Sequence, residues 1–302
     1  MRNITTDMSE FQLEALFRHY CYFHYGHRHV AYTPICACGP NSAVLHYGHA
    51  GAPNDFEIDS HQICLLDMGS EYHCYGSDVT CSYPARGVFT EKEKSIYNAV
   101  LCAQIVVYNM LKPGVSYREC HEAAEKTILQ ALLDLEILKN PDDEDISVLV
   151  DKRLGAVFMP HGLGHFIGID THDVGGYLEG HPKRSTKPGL KSLRTARVMQ
   201  ENMVITVEPG CYFIDHLLNE ALDPNCKLGL SQYLNESKIK EFRGFGGVRI
   251  EDVVQITGDG CENLTRCART IEEIEHVMAN GKWPPLVDSA PELRRKYLLD
   301  PN

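Results

Sequence analysis

The sequence predicts an α+β domain built from two similar halves. Three observations carry this. Three capping boxes open amphipathic helices, β-branched runs cluster between those helices instead of alternating with them, and each half runs from helix to strand in the same order.

The helices open at Ser9 (with Gln12), Thr90 (with Glu93) and Ser116 (with Glu119), and the second stops at Lys112-Pro113-Gly114. Between the first two lie strand-like segments at His29 to Ile35, Ala43 to Tyr47, Gln62 to Met68 and Tyr72 to Tyr83. Gly69-Ser70-Glu71 reads as the turn of a hairpin joining the last two. After the third helix, the acidic run Pro141 to Asp145 precedes a strand ending at Phe158. Glycine-rich turns follow, then strands at Met203 to Phe213 and Gly247 to Ile256. The Ser116 helix is preceded by another, Glu91 to Leu111, whereas the Ser9 helix has no such predecessor. The chain is therefore expected to begin one helix late, leaving Val30 to Ile35 and Ala43 to Leu45 bare. Residues 280–302 are expected to form a tail of this single domain.

With 302 residues, 43% of them hydrophobic, the chain can bury a sizeable core. A net charge of −12 without basic runs excludes a nucleic-acid footprint. No stretch reaches membrane-spanning length and the start carries no apolar signal region, so no membrane partner and a cytoplasmic location are expected. The 12 cysteines lie scattered in apolar segments, as reduced structural thiols do, and Cys36-Ala37-Cys38 lacks the spacing of a zinc site.

Four carboxylates stand out because they interrupt apolar strands. Asp67 in Leu65-Leu66-Asp67-Met68 and Asp78 in Ser77-Asp78-Val79-Thr80 lie on the two arms of the hairpin. A turn centred on Ser70 sets Asp67 opposite Glu71 to His73, so a bulge or strong twist is required to bring Asp78 beside it. Taken alone, either could be a surface side chain on the pleat. Glu208 follows the apolar run Met203 to Val207, and Glu251 follows Gly246-Gly247-Val248-Arg249-Ile250. In Pro160-His161-Gly162-Leu163-Gly164-His165, glycines leave room for close approach to a ligand, although an exposed glycine-rich turn fits that run too. Asp67, Asp78, His165, Glu208 and Glu251 together make a hard, oxygen-rich set suited to two divalent cations bridged by carboxylates.

These motifs, with His46-Tyr47-Gly48-His49, Leu66-Asp67-Met68-Gly69, Thr206-Val207-Glu208-Pro209-Gly210 and Arg249-Ile250-Glu251-Asp252, resemble the pita-bread metallopeptidases. Within that family, which also holds methionine and Xaa-Pro aminopeptidases, the likeness is to the Xaa-Pro dipeptidases (prolidases). It implies a pita-bread (creatinase/aminopeptidase-like) fold and a dinuclear centre, usually manganese. Asp78 and Glu251 would bridge the ions, Asp67 would complete one shell, and His165 and Glu208 the other. It further implies a bridging hydroxide nucleophile, with Glu208, His161 and His172 as catalytic groups. His46, Tyr32, His172, Arg194 and Arg249 would be substrate-binding, Arg194 holding the carboxylate of a C-terminal proline. The expected partner is a small peptide, and the family is homodimeric. Relatives of that family also carry a separate N-terminal domain that this sequence does not contain. A Xaa-Pro aminopeptidase acting on longer peptides, or a non-catalytic binding module, are the alternatives. The first would lack the context of Arg194, the second typically its metal ligands.

Overall fold

In the computed structural model, which describes residues 1–49, 51 and 53–296, the chain begins with helix α1 (Glu10–Tyr25). Six short strands follow: β1 (His29–Val30), β2 (Ile35–Cys38), β3 (Ile63–Asp67), β4 (Ser70–Tyr72), β5 (Tyr75–Gly76) and β6 (Thr80–Pro84). Helices α2 (Glu91–Met110), α3 (Tyr117–Asp134), α4 (Ile146–Asp151) and α5 (Gly155–Phe158) come next. The second half holds β7 (Val204–Val207), β8 (Gly210–Tyr212), α6 (Asp215–Leu222), α7 (Glu236–Phe242), β9 (Gly247–Arg249), β10 (Asp252–Ile256), β11 (Cys261–Asn263) and α8 (Ile271–Met278).

The predicted capping boxes form. Thr90 N–H donates to Glu93 Oε2 at 2.7 Å while Glu93 N–H donates back to Thr90 Oγ1 at 3.3 Å, and Ser9 N–H reaches Gln12 Oε1 at 2.8 Å. A further box at Thr270 and Glu273 opens α8.

Two antiparallel three-stranded sheets, β2-β3-β6 and β7-β10-β11, give the halves their likeness. They meet just before β10, where Glu251 N–H donates to Thr80 O at 3.2 Å, and β6 is also tied to the two-stranded sheet β8-β9, where Ser82 Oγ donates to Arg249 O at 2.8 Å. Helices α2 and α3 pack behind the second sheet through Ile96, Val100, Val107, Ala124, Ile128 and Leu132, all buried. Their polar side chains reach into it. Gln104 Nε2 donates to Val207 O at 3.1 Å, and Tyr108 OH donates to Asp252 Oδ2 at 2.6 Å. These two buried donors each find an acceptor and so fix the helices in place, although Gln104 Oε1 is buried without a partner among the described residues.

Several expectations change. The hairpin turns at His73 and Cys74, both with positive φ, instead of at Gly69 to Glu71. Consecutive positive-φ residues are what a tight two-residue hairpin requires. One register therefore runs from Tyr72↔Tyr75 through Glu71↔Gly76 to Asp67↔Thr80. Ala43 to Tyr47 is not a strand; Gly39–Ala43 forms a 3-10 turn instead. The segment ending at Phe158 is helical. The two late strands are each broken, at Glu208-Pro209 and at Ile250-Glu251.

The first sheet is not bare. Its strand β2 is buried throughout, Val30, Ala43 and Leu45 are half-buried, and only Val44 is exposed. Helix α1 covers it with Leu13 and with Glu10, whose Oε1 accepts Cys38 N–H at 2.7 Å. A cluster of exposed apolar groups lies on α1 itself, Phe23 being 73% exposed. Nor is 280–302 a free tail over its described part, since Ala290 and Leu293 are buried and Arg295 pairs with Glu273 at 2.7 Å and with Asp288 at 2.5 Å. Residues 297–302 lie outside the described residues. No described helix is long and apolar enough to cross a membrane.

Candidate metal centre

The register puts the first two carboxylates together. Asp67, the last residue of β3, pairs with Thr80, the first of β6, and the register continues where Met68 N–H donates to Val79 O at 3.1 Å, so Asp78, two residues before Thr80, is its diagonal neighbour with no residue inserted. Gly69 permits this closeness: a Cβ there would sit 1.7 Å from Ser77 O and 2.8 Å from the Tyr32 ring. Tyr32 OH then donates to both carboxylates, at 2.5 Å to Asp78 Oδ1.

The second half brings its glutamates in at the two strand breaks. Glu208 N–H donates to Leu163 O at 2.8 Å, which ties it to the glycine-rich run. Gly164 is required there, since a Cβ would lie 2.2 Å from Thr206 O. All five predicted ligands line one cavity of about 480 Å³, and Asp78, His165 and Glu251 offer donor atoms within 4.8 Å of one another.

The electrostatics of this cluster are unfavourable as they stand. Burial, then repulsion from Asp67 and Glu208, pushes Asp78 well above the usual carboxylate range; burial and repulsion from Asp78 do the same to Glu251. Glu208 is raised by burial as well. Glu251 Oε1 is buried and has no hydrogen-bond partner among the described residues. His165 Nδ1 contacts Phe166 O at 2.9 Å; a carbonyl only accepts, so that nitrogen carries the proton. Nε2 then faces Asp78 Oδ2 at 3.4 Å and Glu208 Oε1 at 3.5 Å. A ring nitrogen held against two buried carboxyl groups needs a proton or a metal cation between them, and a divalent cation satisfies all three at once. The donor set fits a divalent metal.

The other predicted residues divide into two groups. His46, His161, His172 and Arg194 line the same cavity. Partial desolvation, then His165 and Arg194 beside it, pushes His172 down to about 4, so it is neutral near pH 7. Among the described residues the Arg194 guanidinium makes no hydrogen bond or ion pair, although it lies close enough to feel the charge of Glu208. Tyr32 and Arg249, expected to meet substrate, line the cavity too, and both donate to the carboxylates. Arg249 donates to Asp67 Oδ2 at 2.6 Å, to Tyr212 OH at 2.8 Å and to Thr80 Oγ1 at 3.3 Å.

Three residues escaped the sequence reading. Tyr212 OH accepts from Arg249, so its own proton is free for His161 Nε2 at 3.0 Å. His161 Nδ1 lies 2.7 Å from Gly162 O and must be its donor. Both ring nitrogens are therefore engaged, and burial with the Arg249 charge pushes His161 down to about 3. Thr80 Oγ1 donates to Glu251 Oε2 at 2.6 Å, and Thr206 Oγ1 bridges His165 N–H at 3.0 Å and Glu208 Oε1 at 3.3 Å. Their signal was adjacency to a ligand: Thr206 is two residues from Glu208, and Thr80 two from Asp78.

Comparison with known proteins agrees with this geometry. The model of metallopeptidase family M24 matches residues 1–258. The chain belongs to that family. It is 54% identical over 280 residues to the human Xaa-Pro dipeptidase, an alignment covering 92% of this chain and 55% of the relative. A probable Xaa-Pro aminopeptidase of Botryotinia fuckeliana is 41% identical over 272 residues, 89% of this chain and 56% of its own length. Among solved structures, Pseudomonas aeruginosa aminopeptidase PepP superposes with a TM-score of 0.72 at 32% identity, covering 92% of this chain and 54% of that one. Zinc-substituted Escherichia coli aminopeptidase P in complex with product gives 0.72 at 29%, covering 93% and 54%. The pita-bread fold expected from the sequence is therefore the observed one, and this M24 chain spans about half the length of the curated relatives it matches.

Proposed function

We propose that this M24 domain hydrolyses Xaa-Pro dipeptides at a centre of two divalent cations, manganese by preference, held by Asp67, Asp78, His165, Glu208 and Glu251. The observation that carries the reading is the pairing, in one cavity, of a cation-demanding cluster with the unpartnered Arg194. Bound divalent cations supply Lewis acidity and a water nucleophile usable near neutral pH.

The chain's own groups supply the rest. Glu208, its carboxyl raised by burial, takes a proton during attack and returns it to the leaving nitrogen. His172, neutral and without a hydrogen bond among the described residues, donates N–H to the developing oxyanion. His161, with both nitrogens engaged by Gly162 and Tyr212, presents its ring as a cavity wall and is not the proton carrier. His46 forms the wall beside His172, their rings 6.4 Å apart. Arg194 pairs through its planar fork with the terminal carboxylate, which limits substrate length. A reducing compartment such as the cytosol fits the free cysteines.

The test is metal analysis of the purified chain with turnover of Gly-Pro against a Gly-Pro-containing tripeptide, before and after Arg194→Lys. Lysine keeps the charge and loses the fork, so dipeptide turnover should fall about tenfold or more and tripeptide turnover much less. Equal losses would remove Arg194 from this role. Preferential cleavage of the tripeptide by the unaltered chain would favour an aminopeptidase.

A further inference from the structure

One buried charged cluster lies outside the proposed chemistry. His121 and Glu125 stand a turn apart on α3, both with fully buried side chains, and Arg153 just beyond α4 reaches them. Burying such groups is costly, and they are retained where they hold a specific geometry.

The hydrogen bonds show what is held. Leu163 N–H donates to His121 Nδ1 at 3.1 Å, so that nitrogen is unprotonated and the ring proton sits on Nε2. Nε2 lies 3.2 Å from Glu125 Oε1, off the hydrogen-bond axis, and Arg153 Nη2 donates to the same oxygen. Arg153 Nε donates to Pro188 O at 2.9 Å. One end of the cluster thus grips the peptide of Leu163, between His161 and His165, whose carbonyl also accepts from Glu208. The other end grips the entry to the segment that carries Arg194. The two segments also touch directly, because a Cβ on Gly162 would lie 2.5 Å from Leu193 Cα. A Cβ on Gly189 would lie 2.9 Å from Arg153 Nη2 and 3.2 Å from Glu125 Oε1, so the cluster sits hard against the second segment.

We infer that His121, Glu125 and Arg153 are positioning residues: they set the spacing between the metal-ligating glycine-rich run and the Arg194 segment, and with it the peptide length that fits between them. The length argument rests on the function proposed above. The bracing itself does not.

The experiment compares His121→Leu, which removes the acceptor, with His121→Asn, which keeps one near the position of Nδ1, and with Arg153→Lys, which keeps a charge for Glu125 but gives up the fork. Amide hydrogen exchange is read on the full chain without metal or substrate, and KM and kcat for Gly-Pro on the manganese-loaded chain. In His121→Leu the Leu163 amide should exchange about tenfold faster or more, and KM should rise about tenfold with kcat changing less, while His121→Asn restores both. Arg153→Lys should loosen residues 188–192 and leave Leu163 protected. The inference is overturned if His121→Leu exchanges like the unaltered chain, or if His121→Asn loses as much as His121→Leu. Should His121→Leu not fold, the asparagine and lysine variants decide through the same exchange pattern. An unaltered chain that does not turn over Gly-Pro would sink the function, and the exchange comparison would still decide the bracing.

Discussion

The two halves deliver their carboxylates to the cavity by different means. Asp67 ends β3 and Asp78 lies just before β6, where one register carried across the gap between β5 and β6 makes them diagonal neighbours. Glu208 and Glu251 come from places where strands break, and each is held by a backbone bond from elsewhere, to Leu163 O and Thr80 O. Asp67 has a permanent cationic partner in Arg249, whereas Glu251 has Thr80 on one oxygen and, among the described residues, nothing on the other. Asp67 is therefore satisfied by protein, whereas Asp78, Glu208 and Glu251 are left crowded for what they bind.

That contrast gives the largest expected effect. Glu251→Gln should lose metal and reduce turnover on the order of 1,000-fold, about 4 kcal/mol. With one buried charge gone, its metal-free form should melt above that of the unaltered chain. Asp67→Asn should do the opposite to stability, because Arg249 is left buried and unpaired at a cost of about 3 kcal/mol. Metal analysis with melting curves after EDTA treatment decides; two variants that shift melting in the same direction would break the comparison.

A smaller effect is expected where the halves are joined through side chains. Tyr212 links His161 to Arg249 and, through it, to Asp67. Tyr212→Phe keeps the ring, packed edge-on against His161 at 5.3 Å, and removes only the hydroxyl. Metal affinity or turnover should fall about 10- to 100-fold, as when an outer partner of a ligand is lost. A change of less than twofold in both would show that Arg249 holds Asp67 without help.

The same contrast explains what was legible in the sequence. A carboxylate flanked by apolar residues announces itself, so Asp67, Asp78, Glu208 and Glu251 were found on both sides, and capping boxes fixed the starts of three helices. The turn at His73 and Cys74 was missed because neither residue is glycine or asparagine, although Gly69-Ser70 looked like a turn; Gly69 is instead spent on close approach to Ser77. Ala43 to Tyr47 and the segment ending at Phe158 have strand-like composition, but short apolar runs do not distinguish a strand from a buried turn of helix. Thr80 had a signal in its adjacency to Asp78, but its partner Glu251 lies 171 residues away in sequence, and Tyr212 was invisible because its importance is a contact across the fold.

The smallest expected effect is one of stability against pH, and it follows from the crowded side of the comparison. In the metal-free fold burial first and carboxylate repulsion second push Asp78 and Glu251 well above the ordinary carboxylate range, and burial raises Glu208 against the lowering effect of His165 and Arg249. The unfolded chain releases those protons near the ordinary value of about 4, so just above it the fold holds more protons than the unfolded chain. Stability then falls as pH rises, since its slope follows protons bound unfolded minus protons bound folded. Bound metal displaces those protons and cancels the slope. The gap in melting temperature between manganese-loaded and EDTA-treated protein should therefore widen from mildly acidic to neutral pH. At a metal concentration about 100 times Kd the added stability is about 2.7 kcal/mol, a shift of a few degrees. Glu251→Gln should flatten the pH dependence of the metal-free form. A gap that stays constant or narrows as pH rises would mean the three carboxyls are ionised together without metal, and the cluster would not demand a cation.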